Sequence, residues 1–230
     1  MSLLVVIPAF NEEKSLGNVI QDVRSQIPQA SILVVDDGSH DSTADIAKSA
    51  GVSVVSLPFN VGVGGALRVG FLYAHRNSFR QVLQIDADGQ HRASEAKSLL
   101  DSAQDCDIVI GSRFAVSTNN YSAKFLRKLA INWLSFLISK ICKTKLTDVT
   151  SGFRLSSSSA IELFMKEYPV EYLGYTVESL VIAHRAGLSI MEVPVQMSQR
   201  AFGSPSQNFV KSSWYLLRAT LVVVLSLIHR

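Results

Sequence analysis

The 230-residue chain is poor in cysteine, has no acid over two long stretches, and lacks an uninterrupted apolar run of membrane-spanning length. Its two cysteines, Cys106 and Cys142, lie far apart and form no C-x-x-C pair, which excludes a disulfide scaffold and a zinc module. The longest hydrophobic stretch, Trp214 to Ile228, is interrupted by Arg218. Its uncharged part, Ala219 to Ile228, covers about half of the roughly 20 residues a spanning helix needs, so no transmembrane span is expected. Met1 to Pro8 has no basic flank and too short an apolar run for a secretory signal; it reads as a buried strand. With 18% charged and 47% hydrophobic residues, the chain is not disordered.

The missing acids matter most. Residues 108–147 contain no Asp or Glu but seven basic residues: Arg113, Lys124, Arg127, Lys128, Lys140, Lys143 and Lys145. Residues 193–230 also lack acids and carry Arg200, Lys211, Arg218 and Arg230. Half of the 22 Lys and Arg thus sit in acid-free segments, and the other half are outnumbered by all 19 Asp and Glu. The formal net charge of +3 conceals this separation. Either it builds a face for an anionic partner, or it is chance clustering on solvated helices.

What is present begins with a rhythm. Apolar runs at Leu3–Ile7, Ile32–Val35, Val52–Leu57, Val82–Ile85 and Ile108–Ile110 alternate with helical patterns at Glu13–Gln26, Asp41–Ala50, Val63–Arg76 and Ser94–Ala103. This βαβα order implies an α/β fold, a mostly parallel sheet sandwiched by helices, whose ligands bind beyond the carboxyl ends of the strands. Further on, a long helix is expected from about Ser122 to Cys142, a short strand or loop at Thr150–Leu155, a helix from about Ser156–Ser159 to Met165, another at Thr176–Ala186, and a strand at Ser189–Val193. No repeat or clear domain boundary is visible.

Polar clusters fall where such a sheet would bind ligand. Asp86-Ala87-Asp88-Gly89-Gln90-His91 follows an apolar strand. Two carboxylates two residues apart are costly there unless a positive group compensates them, and oxygen donors suit Mg²⁺ or Mn²⁺, ions that also hold substrate phosphates. A turn would use the same residues. The Asn60–Gly70 segment invites a dinucleotide reading, but Leu67 stands where the third glycine belongs and the turn follows the third strand, so a Rossmann oxidoreductase is excluded. Its glycines permit a tight turn and close approach to a ligand or strand, or simple helix–sheet packing.

Taken in order, Pro8-Ala9-Phe10-Asn11-Glu12, Val35-Asp36-Asp37-Gly38-Ser39, Asn60-x-Gly62-x-Gly64, Asp86-Ala87-Asp88-Gly89-Gln90-His91, Gly111-Ser112-Arg113 and Asp148-x-x-Ser151-Gly152-Phe153-Arg154 resemble a family 2 inverting glycosyltransferase of the GT-A fold. The dolichyl- and polyprenyl-phosphate mannosyltransferase group is the most similar, and the resemblance runs from residue 4 to about 205. It implies a glycosyltransferase domain over 1–205, with a nucleotide-binding part at about 1–113, an acceptor-binding part at about 114–205, and a C-terminal hydrophobic helix at 206–230. It further implies that Pro8, Phe10 and Glu12 frame the nucleotide opposite Val35 and Asp37. Asp86 and Ala87 would reach the nucleotide or donor sugar, and Asp88 and Gln90 would hold Mg²⁺ or Mn²⁺ on the donor diphosphate. Arg113 and Arg127 would receive the acceptor phosphate, with Arg200 near the donor phosphates. The family's loop lysine is absent from Arg200–Ser206, and Ile131 stands where a serine is common, so the sugar is not specified.

A sugar hydroxyl needs a general base, and Glu178 is the first candidate, with Asp148 either an alternative base or an orienter of Arg154. A lipid monophosphate is largely dianionic at pH 7 and attacks directly, so arginines to orient it matter more. The acid-free segment from Arg113 fits the second case. Expected partners are therefore a nucleotide-sugar, a polyprenyl phosphate, and the cytoplasmic membrane surface or a small integral membrane protein, with no nucleic acid. The long helix and the C-terminal helix either lie in the membrane interface or pack in a core, and the latter could pair with its copy in a homodimer. A saccharide-hydroxyl acceptor, or a non-catalytic nucleotide-sugar-binding protein, are the rival readings.

Overall fold

The computed structural model describes residues 2–104, 106–114, 125–169 and 174–198, with side chains in the long helix from residue 131 onward. Seven strands form one sheet: β1 (Leu3–Ala9), β2 (Ser31–Asp36), β3 (Ser53–Ser56), β4 (Gln81–Gln84), β5 (Ile108–Ser112), β6 (Arg154–Ser156) and β7 (Ile190–Pro194). Their spatial order is β3-β2-β1-β4-β6-β5-β7, and every neighbouring pair is parallel except those made by β6, which runs antiparallel between β4 and β5. The helices are α1 (Leu16–Gln26), α2 (Thr43–Ser49), α3 (Val63–Arg76), α4 (Ala96–Ser102), α5 (Phe125–Cys142), α6 (Ser158–Glu167) and α7 (Tyr175–Arg185). Each element read from the sequence pattern within these residues is present. The antiparallel direction of β6 is new, as is its position, since the strand starts at Arg154 within the segment read as strand or loop at Thr150–Leu155.

Strand alternation divides the core in two. From β1, Leu4 and Val6 point to one face and pack with residues of α3, α5, α6 and α7; Leu3, Val5, Ile7 and Ala9 point to the other and pack with α1, α2 and α4. Both faces of the central strands are covered, which is why they read as unbroken apolar runs. Pro8 sits inside β1 without cost to the ladder. The Val6 carbonyl accepts from Ile85 N–H on the β4 side, so position 8 faces that side too, beyond the Val6–Gln84 pair where β4 ends.

Helix α3 lies close on the sheet through its small residues. A Cβ added at Gly70 would stand 2.5 Å from Val6 Cγ1, so the close helix–strand approach anticipated for these glycines is real. We expect Gly70→Ala to destabilise the protein by roughly 1–3 kcal/mol through overpacking, although Ala is the better helix former by about 1 kcal/mol. Urea unfolding in a Val6→Ala background should show the same substitution near neutral or stabilising, because the obstructing methyls are gone.

Candidate functional site

The parallel strands deliver their carboxyl ends to one edge of the sheet, and the polar clusters meet there. The first two loops are tied together: Asn11 N–H donates to Ser39 Oγ (3.0 Å), His40 N–H to Asn11 Oδ1 (2.9 Å), and Glu12 N–H to Thr43 Oγ1 (2.9 Å). Asn11 holds a left-handed φ of 55° in this arrangement. Phe10 is 39% exposed and meets His40 edge-on at 6.3 Å, leaving an aromatic surface at the end of β1. Glu12 accepts from Ser15 Oγ at 2.7 Å.

Asp37 serves the loop ahead of α3. Its two carboxylate oxygens accept from the backbone N–H groups of Val61 (2.8 Å) and Gly62 (2.9 Å). Burial raises its pKa, those two donors oppose the rise, and the neighbouring Asp36 adds to it. The turn after it requires glycine: Gly38 has a φ of +72°, and a Cβ there would lie 2.7 Å from the Phe59 carbonyl carbon. Val35, expected opposite the nucleotide, is instead fully buried in the core beneath α3, because alternation along β2 turns its side chain into that layer. Pro8 and Ala87 are likewise buried, Ala87 in the opposite core layer, so their side chains are packing groups.

The acidic segment leaves β4 at the sheet edge. Asp86 N–H donates to His91 Nδ1 (3.0 Å), and the buried imidazole stacks on Phe153 at 5.1 Å, which pins the first aspartate's backbone. The Asp86 carboxylate is 35% exposed and accepts from Gln84 Nε2 at 3.4 Å. Asp88 Oδ1 accepts from Gln90 N–H at 3.0 Å, and Asp88 borders a cavity of about 190 Å³ shared with Ser15, Asn18, Asp22 and His91. Among the described residues no three His, Cys, Asp or Glu side chains form a metal cage. A partly exposed aspartate pair with an amide neighbour fits a hard cation that fills the rest of its shell with water and ligand phosphate oxygens.

Arg113, at the end of β5, is held by Asp148 in a fork: Nε to Oδ2 at 2.6 Å and Nη2 to Oδ1 at 2.8 Å. Nη2 also donates to Thr150 Oγ1 (2.8 Å), and the Arg113 backbone N–H to Asp148 Oδ2 (3.2 Å). The Asp148 side chain is fully buried and that of Arg113 is 12% exposed. Burial pushes the Asp148 carboxyl up, but Arg113's hydrogen bonds and charge outweigh it and hold the pKa below the usual carboxylate range. Asp148 therefore orients Arg113, not Arg154. Arg154 lies fully buried and donates to the carbonyls of Ser151 (2.8 Å) and Val149 (2.9 Å) and to Ser179 Oγ (2.9 Å). Above it, a Cβ at Gly152 would come within 3.0 Å of Asp86 Oδ2, so the segment leading into β6 lies directly against the aspartate.

The structure thus gathers Asp37, Asp86, Asp88, Gln90 and Arg113 at the strand ends, together with Phe10 and Glu12. Glu178 is half-buried in the first turn of α7. The Arg127 side chain, Arg200 and the C-terminal helix lie outside the described residues. Pattern reasoning missed Gln84, Thr147, Thr150 and Glu192. Glu192 left one signal: an acid inside the apolar edge strand Ile190–Pro194. The fork makes a prediction. Asp148→Ala should cost about 3–5 kcal/mol in urea unfolding, the usual result of stranding a buried charge. Because the folded pKa is depressed, the wild-type advantage over Asp148→Asn should be full above about pH 4 and shrink as pH falls below it.

With this geometry in place, similarity to known proteins has a structural meaning. The family model for glycosyl transferase family 2 matches residues 4–164. An undecaprenyl-phosphate mannosyltransferase of Micrococcus luteus is 30% identical over 90% of this chain and 88% of its own length. A polyprenol monophosphomannose synthase of Mycolicibacterium smegmatis is 31% identical over 87% of this chain and 78% of its own. Among solved structures, a glucosyl-3-phosphoglycerate synthase from Mycobacterium tuberculosis in complex with UDP superposes with a TM-score of 0.74 at 19% identity, covering 97% of this chain and 79% of that one. The non-catalytic reading falls away: the chain belongs to glycosyl transferase family 2 and is a glycosyltransferase of the GT-A fold.

Proposed function

We propose that the enzyme transfers a hexose, with inversion, from a nucleotide-sugar of the GDP-mannose or UDP-glucose type to a polyprenyl phosphate at a membrane surface. The observation that carries this is the Arg113 corner. Two carboxylates there are engaged in holding the loop: Asp148 by Arg113 and Thr150, Glu192 by the Thr147 and Asp148 backbone N–H groups. The corner offers an oriented cation rather than a general base, which suits an acceptor whose phosphate is already the nucleophile. Relatives matched over most of their length are an undecaprenyl-phosphate mannosyltransferase and a polyprenol monophosphomannose synthase, which supports the same acceptor class.

In this reading Phe10 and the β1–β2 loops seat the nucleotide, and Asp37 fixes the Gly62 turn beside it. Asp88 and Gln90, with Asp86 adjacent, would hold a divalent cation that neutralises the departing diphosphate when bound. Asp86 itself is kept at the strand end by its backbone bond to His91 and by Gln84. Arg113 receives the acceptor phosphate and, fixed by Asp148, aims it without reorganisation. Nucleoside diphosphate release should therefore require Mn²⁺ or Mg²⁺ and undecaprenyl or dolichyl phosphate. Asp88→Ala should cost at least about a hundredfold in kcat, and Glu178→Gln should leave transfer within about tenfold. Transfer to saccharides without response to lipid phosphate, abolished by Glu178→Gln, would establish the hydroxyl-acceptor reading instead.

The membrane part rests on α5. Trp133 (60% exposed) and Phe136 (54%) form an aromatic pair at 6.2 Å on its outer face, and Lys140 Nζ stands 5.8 Å from the Phe136 ring. Lys143 and Lys145 continue the exposed basic strip, within the stretch that contains no acid. No helix among the described residues is long and apolar enough to cross a membrane. Aromatic rings flanked by lysines match the headgroup level of an anionic bilayer. In a Trp214→Phe background, Trp133 fluorescence should shift to the blue on adding phosphatidylglycerol vesicles. Reversing Lys140, Lys143 and Lys145 to Glu should weaken that binding by about 1 kcal/mol or more per residue. An unchanged spectrum at saturating anionic vesicle would remove α5 from the membrane contact.

A further inference from the structure

Glu192 belongs to β7, which among the described residues is the edge strand paired with β5, where Ile110 is its register partner. Ile190 on the same face of β7 enters the core layer of α5 and α7, while Val193 enters the opposite layer, so alternation sends Glu192 toward the segment that follows α5. There one carboxylate oxygen accepts two consecutive backbone N–H groups, Thr147 at 2.7 Å and Asp148 at 3.0 Å, and the other oxygen accepts from Thr147 Oγ1. Thr147 Oγ1 is also 2.9 Å from Ser112 Oγ, and Ser135 Oγ donates to the Thr147 carbonyl at 3.1 Å. A carboxylate cradled by successive amides sets the backbone of residues 147 and 148, and with it the Asp148 side chain that clasps Arg113.

Asp148 is fully buried, so its N–H needs a partner that water does not supply, and the Glu192 carboxylate provides one with a full charge. The carboxylate thereby ties together three segments: Ser112–Arg113, Thr147–Thr150, and β7 itself. The first of these carries Arg113, which the acceptor phosphate would meet.

We infer that Glu192 is a positioning residue for the acceptor phosphate, acting through the Thr147 and Asp148 amides and Asp148 to hold Arg113. The inference rests on the proposed polyprenyl-phosphate acceptor. Glu192→Gln keeps the shape but gives up the charge of the acceptor oxygens; Thr147→Val removes one of the three donors. Glu192→Gln should raise KM for undecaprenyl phosphate by about tenfold or more, the usual weight of a charge-assisted hydrogen bond, with donor KM unchanged. Thr147→Val should shift it in the same direction by less, and Glu192→Asp should restore part of the loss.

Amide hydrogen exchange on the whole protein gives a readout independent of turnover: the 147–148 amides should exchange faster in Glu192→Gln while the strands of the sheet are unaffected. A merely structural role would lower the melting temperature and Vmax and leave acceptor KM where it was. Wild-type turnover with polyprenyl phosphate, combined with an unchanged acceptor KM in Glu192→Gln or unchanged exchange at 147–148, overturns this inference alone. Failure of the wild-type enzyme to use or bind any polyprenyl phosphate overturns the acceptor reading and the inference with it.

Discussion

The antiparallel course of β6 is the constraint on which the site depends. In a purely parallel sheet, the segment entering a strand lies at the opposite edge from the ligand. Because β6 is reversed between β4 and β5, its entering segment, residues 147–153, arrives at the same edge as the carboxyl ends of its two neighbours. That places Gly152 against Asp86 on one side, while the Phe153 carbonyl accepts from Gly111 N–H at 2.8 Å on the other. Asp148 can then reach Arg113 only because the chain that carries it has been turned back over the end of β5. The acidic loop that follows β4 and the arginine that follows β5 are brought to one wall by three residues of strand.

The same reversal creates a burial problem, which the site solves with charge. Asp148, Arg113 and Arg154 all lie in or near the interior, where an uncompensated ion costs several kcal/mol. Asp148 is matched by a two-pronged arginine. Arg154 has no carboxylate among its hydrogen-bond partners in the described residues; it is held by two backbone carbonyls and a serine hydroxyl, with the charges of Asp148 and Asp86 nearby. Burial draws its pKa down, and those neighbouring charges act against that change. For two buried phenols, Tyr168 and Tyr175, burial instead drives the pKa up, so they remain neutral donors and acceptors; the Tyr175 hydroxyl meets Gln84 at 3.4 Å. The floor beneath Asp86 is thus polar and hydrogen-bonded.

Much of this was legible in the sequence, for identifiable reasons. Strands buried on both faces announce themselves as apolar runs, and helices over a sheet show their three- and four-residue spacing, so the rhythm from Leu3 to Ile110 needed no tertiary information. The clusters at the ends of those runs marked the carboxyl edge of the sheet because parallel topology puts them there. What stayed hidden depended on pairing between distant segments. Nothing local to Asp148 says whether it meets Arg113, 35 residues earlier, or Arg154, six residues later. Val35 shows a different difficulty: a motif gives proximity to a ligand, but only strand alternation tells which face a side chain takes. Asp37 reads as facing the nucleotide, and its two oxygens serve the Val61 and Gly62 amides.

These engagements bear on the chemistry of the acceptor. A hydroxyl nucleophile demands a carboxylate that can take a proton, and such a group must keep a pKa near the working range and an oxygen aimed at the substrate. Asp148 meets neither condition, since Arg113 stabilises its ionised form and its oxygens face the guanidinium and Thr150. Glu192 is turned onto backbone amides. Asp148 and Glu192 are thus engaged in fixing a cation, which fits the proposed anionic acceptor. The asymmetry visible in the composition has the same sense: 13 of the 19 acids precede residue 108 and 14 of the 22 Lys and Arg follow it, which fits the proposed cation at Asp86 and Asp88 and the proposed phosphate at the basic stretch.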